Sequence, residues 1–320
     1  MTRVLLVRMS SLGDIIHTFP AATDMQRHVP DLVLDWVVEG EYVELARMHP
    51  AVQEVIAFSL RRWRRAMGKA ETWRELGAAR RALAAHPYDA IIETQGLMKS
   101  AWVAKQARGP IHGFGPRTAR EPIVARLYTH RYEFAPSDHK ILRYRTVAAR
   151  ALGYTFDPPI DYGLVAPPRP AFAPAGPYVV MFHSTARAAK LWDEAAWIAL
   201  AQHVNARGRT CVLPWGSDEE RQRSERIAGA VPQALVAPRM SITEAGGLIG
   251  GADAVVGVDT GLMHLAAALK VPVVGVFCDS EPADAHPVGL GPSAYRGGVG
   301  RPPAAAAVID ALGEVAPGLS

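Results

Sequence analysis

The sequence predicts an α/β protein in two parts, on three observations. Residues 255–277, VVGVDTGLMHLAAALKVPVVGVF, run from an apolar β-branched stretch through a polar turn into a Leu- and Ala-rich helical stretch, then past a proline into a second apolar stretch. That is the pattern of a βαβ unit. Residues 3–20, RVLLVRMSSLGDIIHTFP, make another strand-to-helix edge near the start of the chain. Between the two, residues 158–177, PPIDYGLVAPPRPAFAPAGP, are proline-rich and read as a linker. The 320 residues thus divide into a first domain of residues 1–165 and a second of 166–320, each of ordinary size.

In chain order, residues 4–7 form an apolar strand that enters the polar loop Ser10-Ser11-Leu12-Gly13-Asp14, and a helix begins near Ile15. Residues 34–38, 55–57 and Ala90–Glu93 read as further strands, alternating with helical stretches. The second domain opens with the strand Tyr178–Phe182 and continues through Thr210–Leu213, Ala254–Val258 and Val273–Phe277. A tail of about residues 303–315 reads as a short helix. No GxGxxG or GxxxxGK(S/T) pattern follows the first strand, which leaves a dinucleotide or P-loop reading without support.

Composition narrows the function classes. A hydrophobic fraction of 49% with 21% charged residues is that of a globular protein. Two cysteines, Cys211 and Cys278, both in apolar strand-like context, read as buried hydrophobes in a reducing compartment. No Cys/His spacing of a metal site is present. The chain starts directly in a core strand, so no signal peptide is expected, and no uncharged run approaches the roughly 20 residues that span a bilayer. The net charge of +4 is unevenly spread: residues 1–160 carry 23 Lys+Arg against 16 Asp+Glu (+7), and residues 161–320 carry 12 against 15 (−3). The basic half suits an anionic acceptor or an anionic membrane surface. Nucleic acid is disfavoured, since no nucleic-acid module is recognisable.

The chemistry gathers at strand-to-helix edges, where ligands of open α/β sheets sit. The turn Asp259-Thr260-Gly261 puts a carboxylate, a hydroxyl and a glycine there, with His264 just inside the helix, and free helix N–H groups suit a phosphate. The competing reading is that Asp259 or Thr260 merely caps the helix, and His264 is a satisfied core histidine. Asp14 stands at the corresponding edge of the first domain, where an N-cap role competes in the same way.

The segments RMSSLGDIIHTFPA, LDWVVE, RRWRRA, DAIIETQGLMKSA, TAREP, LPWGS, RMS and VDTGLMHLAAAL are spread over residues 8 to 269, most of the chain. With them the chain resembles the bacterial lipopolysaccharide heptosyltransferases. RRWRR, QGLMKSA and TAREP favour the members that add the first heptose to the inner core over those that extend a heptosylated core. The resemblance implies a GT-B fold, two Rossmann-like domains facing each other across a cleft, with the C-terminal helix packing back on the first domain. It implies a cytoplasmic enzyme, peripheral on the inner membrane, that needs no cofactor or metal. Its donor would be ADP-L-glycero-β-D-manno-heptose, its acceptor a Kdo residue of Kdo-lipid A, and transfer would invert the anomeric centre. A heptosylated-core acceptor, or a nucleotide-sugar-binding module without transferase activity, is the alternative.

Residue by residue, the resemblance makes Asp14 the catalytic base. A helix N-terminus lowers a carboxylate's basicity, which suits a late proton transfer. Thr185 and Lys190 would hold the departing diphosphate, with Ala186 where a second Thr is common; Thr260 and Gly261 would add donors to the same phosphates. Asp259 would accept from heptose hydroxyls, and His264 would contact sugar or phosphate. Glu220 would bind the ribose, with Glu219 as its rival, and Met240 would lie near the adenine. On the acceptor side stand Ser10, Gly13, the Arg61, Arg64 and Arg65 face of RRWRR, and Arg120, with Lys99 and Ser100 at the cleft. Arginine suits lipid A phosphates and Kdo carboxylates because its planar fork pairs bidentately with both. Arg8 stands where relatives often carry Lys.

Overall fold

The computed structural model describes all residues except Ala186 and Ala285, and all side chains except theirs and that of Asp284. The chain forms two compact units, Met1–Pro158 and Pro159–Ser320. The first contains strands β1 (Thr2–Val7), β2 (Leu32–Val38), β3 (Val52–Ala57), β4 (Ala90–Glu93), β5 (Ile111–Phe114) and β6 (His130–Tyr132). Its helices are α1 (Leu12–Ile16), α2 (Phe19–His28), α3 (Val43–Arg47), α4 (Leu60–Arg65), α5 (Ala70–Ala84), α6 (Met98–Ala104) and α7 (Lys140–Leu152). The second contains β7 (Tyr178–Phe182), β8 (Thr210–Leu213), β9 (Ala234–Val236), β10 (Ala254–Val258), β11 (Val273–Phe277) and β12 (Ser293–Gly297). Its helices are α8 (Glu194–Ala206), α9 (Asp218–Gly229), α10 (Ile242–Gly250), α11 (Gly261–Ala268) and α12 (Ala305–Val315).

Each unit is one six-stranded sheet, ordered β3-β2-β1-β4-β5-β6 and β12-β11-β10-β7-β8-β9. All pairings between neighbouring strands are parallel. Counted from β7, the second sheet has the strand order of the first, which is the doubly wound Rossmann order. Central strands are buried along their whole length, as parallel strands covered by helices on both faces must be: β7, β10 and β11 show no partly exposed residue. The order reverses between β1 and β4 and between β7 and β10, and a doubly wound sheet opens its ligand crevice there.

One expectation is corrected. The proline-rich stretch is not a free linker. Tyr162 is buried and donates to the Val288 carbonyl at 2.8 Å, and a Cβ on Gly247 would meet the Pro168 carbonyl oxygen at 2.2 Å. The stretch thus runs along the second unit, and the division falls at Pro158. The C-terminal helix α12 packs into the core of its own unit, burying Val308, Ala311, Leu312 and Val315 with Val256, Val274 and Trp197. The Trp192 indole N–H to the Pro303 carbonyl, 2.8 Å, fixes its approach. The two cysteines are free and buried, and burial pushes the Cys211 thiol up to about 12.

Candidate active site

In the first unit β1 delivers Arg8 and the loop after it delivers Asp14. Helix α1 starts at Leu12, three residues earlier than the sequence suggests, so Asp14 is its third residue and not its cap. The Ser11 backbone N–H and hydroxyl donate to Asp14 Oδ2 at 3.4 and 3.1 Å, while Arg8 Nη2 lies 3.0 Å from Oδ1. Arg8 is buried, its Nη2 also donating to the Tyr144 hydroxyl at 2.6 Å and its Nη1 to the Thr94 carbonyl just past β4. The carboxylate is therefore clamped by Ser11 and Arg8, and Arg8 is itself held by groups just past β4 and on α7. Burial alone would raise the Asp14 pKa, but Arg8, then Lys140 and the Ser11 donors, outweigh it and hold the carboxyl below its ordinary range.

Asp14 opens into a cavity of about 320 Å³ whose polar lining includes Gln95, Thr118, Arg120, Lys140 and Arg143. Arg120 and Asp14 thus line one cavity. Sequence reasoning missed Lys140 and Arg143, although a signal existed: both lie in the first turn and a half of α7, where a cation opposes the helix dipole. Arg120 is placed through Glu93 and Gly96. Glu93 is fully buried, and its carboxylate accepts from the Gln95 and Gly96 backbone at 2.9 and 3.0 Å and from the Tyr128 hydroxyl. Gly96 has φ +66°, and a Cβ there would press on the Arg120 backbone nitrogen at 3.1 Å.

The other acceptor-side residues go elsewhere. Ser10 is buried and accepts from Gln95 Nε2 and Lys99 Nζ, each at 3.3 Å, and Gly13 is half-buried within α1. Arg61 and Arg64 line a separate cavity with Lys99, between α4 and α6, and Arg65 is exposed without lining it. Ser100 is buried and donates to the Leu97 carbonyl at 2.9 Å, so it finishes the start of α6.

In the second unit the residues after β7 and β10 meet. Thr185 Oγ1 donates to the Asp259 carbonyl at 3.2 Å, and Lys190 Nζ pairs with the Asp259 carboxylate, both side chains largely buried. Burial would raise the Asp259 pKa, but the Lys190 contact outweighs it and keeps the carboxyl low. Asp259 is thereby not a cap. Thr260 holds the N-cap position of α11 without a side-chain cap hydrogen bond, and Gly261 is the first helical residue, leaving that helix end open for an anion. His264 is buried one turn on. Ala186 lies outside the described residues.

Thr185 also lines a cavity of about 430 Å³ together with Ser184, Glu219, Glu220 and Arg223. Both acidic candidates from the sequence line it. Glu220 also accepts from the Gly216 N–H at 2.6 Å, which holds its carboxylate at the loop after β8. Met240 sits half-buried before the capping box of α10 and is not among the described residues that line the cavity. Ser184 was missed. Its hydroxyl lies 2.8 Å from His183 Nδ1, whose Nε2 lies 2.7 Å from the Ser224 hydroxyl. Burial drives the His183 pKa down to about 4, so a neutral ring orients that hydroxyl.

Two units with switch-point sites of this kind match known proteins closely. The sequence model for glycosyltransferase family 9 (heptosyltransferase) matches residues 76–296. Lipopolysaccharide heptosyltransferase 1 of Pseudomonas aeruginosa is 42% identical over 88% of this chain and 79% of its own length. That of Salmonella typhimurium is 40% identical over 88% and 89%. The fold of E. coli heptosyltransferase WaaC, solved with ADP, superposes with a TM-score of 0.89 at 36% identity, covering 96% of this chain and 98% of that one. At 19% identity, E. coli heptosyltransferase II shares the fold with a TM-score of 0.73. The chain belongs to glycosyltransferase family 9, the heptosyltransferases, with a GT-B type fold.

Proposed function

We propose that this chain transfers heptose from ADP-L-glycero-β-D-manno-heptose to a Kdo residue of Kdo-lipid A, with inversion, at the start of the heptose region of the lipopolysaccharide inner core. The Lys190–Asp259 pair beside the open end of α11 carries this reading. A diphosphate arriving there meets an ammonium, the Ser184, Thr185 and Thr260 hydroxyls and uncapped helix N–H groups, and these stabilise the charge that develops as ADP leaves. Lys190 would exchange Asp259 for phosphate, freeing that carboxylate to accept from heptose hydroxyls. Glu219 and Glu220 lie where a ribose diol would be read.

In the first unit Asp14, held ionised by Arg8 and Lys140, takes the proton of the Kdo hydroxyl. A carboxylate of low basicity serves as base when the proton moves late, after the bond to ADP has lengthened. Arg120, Lys140 and Arg143 face the same cavity and suit the Kdo carboxylate. The Arg61, Arg64 and Arg65 face suits lipid A phosphates. Work on such an acceptor places the enzyme at the cytoplasmic face of the inner membrane, in peripheral contact with it.

The test is turnover of ADP-heptose with Kdo-lipid A and with a heptosylated core, each with and without EDTA, for the wild type and Asp14→Ala. Transfer to Kdo-lipid A that survives EDTA and falls at least about a hundredfold in the variant is expected. Preference for the heptosylated core would replace the acceptor assignment. Full turnover by Asp14→Ala would remove Asp14 from the chemistry.

A further inference from the structure

The main-chain ladder between β1 and β4 stops where the Asp14 cavity opens. Its last rung is the Thr94 N–H to the Val7 carbonyl, at 3.3 Å. Beyond it the backbone N–H groups of Gln95 and Gly96 no longer serve β1 and donate to the Glu93 carboxylate, at 2.9 and 3.0 Å. Glu93 is fully buried at the end of β4, so this hook starts from a fixed point. Gly96, in the left-handed region, then carries the chain off, and its carbonyl accepts from the Glu121 N–H at 3.0 Å.

The segment that follows β1 still has polar groups to satisfy. Towards β2 the main chain does it, with the Glu39 N–H donating to the Met9 carbonyl at 3.0 Å. Towards β4 the Gln95 side chain takes over. Its Oε1 accepts from the Met9 N–H at 3.1 Å, and its Nε2 donates to Ser10 Oγ at 3.3 Å, an oxygen that Lys99 Nζ also reaches. A backbone N–H can only donate, which fixes the way this amide points. Met9 and Ser10 sit in the middle of the segment that holds Asp14. Arg8 pairs with Asp14 Oδ1, and the Ser11 N–H and hydroxyl donate to Oδ2. Gln95 is buried and lines the same cavity as Asp14.

We propose that Gln95 is a positioning residue for the reaction: its amide supplies the missing rung between β4 and residues 9–10 and so sets where Asp14 stands in its cavity. The proposal rests on the reading of Asp14 as the base and adds the residue that aims it. Aim matters because a misplacement of about 1 Å costs on the order of a hundredfold in rate.

The test compares Gln95→Met, Gln95→Asn and Gln95→Glu with the wild type, as full chains, by steady-state kinetics with ADP-heptose and Kdo-lipid A and by amide hydrogen exchange. Gln95→Met removes both bonds, Gln95→Asn keeps the amide but shortens the side chain by a methylene, and Gln95→Glu keeps the length and an oxygen for the Met9 N–H. Gln95→Met and Gln95→Asn should lower kcat at least about tenfold and leave the ADP-heptose KM within about twofold. Exchange at residues 9–15 should rise at least about fivefold, with the second unit unchanged. Gln95→Glu should keep the exchange protection and more of the kcat than Gln95→Met. A wild-type Tm shift with ADP shows that the variants are folded. Wild-type kcat in Gln95→Met and Gln95→Asn overturns the proposal. So does a loss of kcat with wild-type exchange, which would make Gln95 a direct substrate contact. A rise in exchange spread evenly over the first unit overturns it too, leaving Gln95 a packing residue. Full turnover by Asp14→Ala would sink the base assignment and with it the role of Gln95 in the reaction, while the exchange arm would still show whether Gln95 holds the segment.

Discussion

Asp14 shows how one carboxylate is set by opposing forces. Its burial disfavours charge, and Arg8, itself buried and held by Thr94 and Tyr144, restores it. Because the folded pKa is lowered, the stability contributed by this pairing is present above the ordinary carboxylate range and is lost as pH falls through the lowered value. Arg8→Met removes the strongest opposing charge while keeping a long side chain. The acid limb of the kcat/KM profile should then move to higher pH, with a lower kcat. An unmoved limb would mean that Arg8 only fills space. Asp14 and Lys190 were legible as candidates because each residue sits in a dense motif next to a strand end. Ser184 was not, since a lone serine beside a histidine becomes informative only when the ring is seen to be buried and bonded on both sides.

At the scale of elements, the strands read from the sequence are the buried ones, apart from the largely exposed edge strand β3. β6, β9 and β12 were not read: all three are edge strands, β6 and β9 are only three residues long, and β6 and β12 have little apolar content. β5 is buried but only four residues long, and its His112-Gly113 breaks the apolar run. Gly113 is required there, because a Cβ would meet the Tyr128 ring at 2.6 Å. The proline-rich stretch misled for a related reason: proline content reports a lack of hydrogen-bonded regularity, not a lack of packing. Gly247→Ala tests its docking. The new methyl group would strike the Pro168 carbonyl and should lower stability by about 1–3 kcal/mol, read as a fall of several degrees in Tm. An unchanged Tm would show that this contact does not hold the stretch in place.

At the scale of the whole molecule, two copies of one topology hold different chemistries. The first unit carries the positive charge and the Asp14 cavity, and the second carries the Lys190–Asp259 site. ADP at about a hundred times its Kd should stabilise the protein by about 2.7 kcal/mol. Lys190→Ala should remove most of that shift while leaving the ligand-free protein folded. A full ADP-induced Tm shift in the variant would rule out Lys190 as a diphosphate contact.

The sequence by itself determined the α/β class, the division into two parts, the strand-end positions of Asp14 and Asp259, and the family resemblance. These rest on local patterns: period, turn chemistry and short motifs. Only the tertiary structure decided that Arg61 and Arg64 line a cavity separate from that of Asp14, that Lys140 and Arg143 join Asp14, that the last helix packs into the core of the second unit, and that the whole proline-rich stretch belongs to that unit. Such pairings are fixed by which buried surfaces fit, across separations such as the 136 residues between Arg8 and Tyr144, and no local pattern encodes that fit.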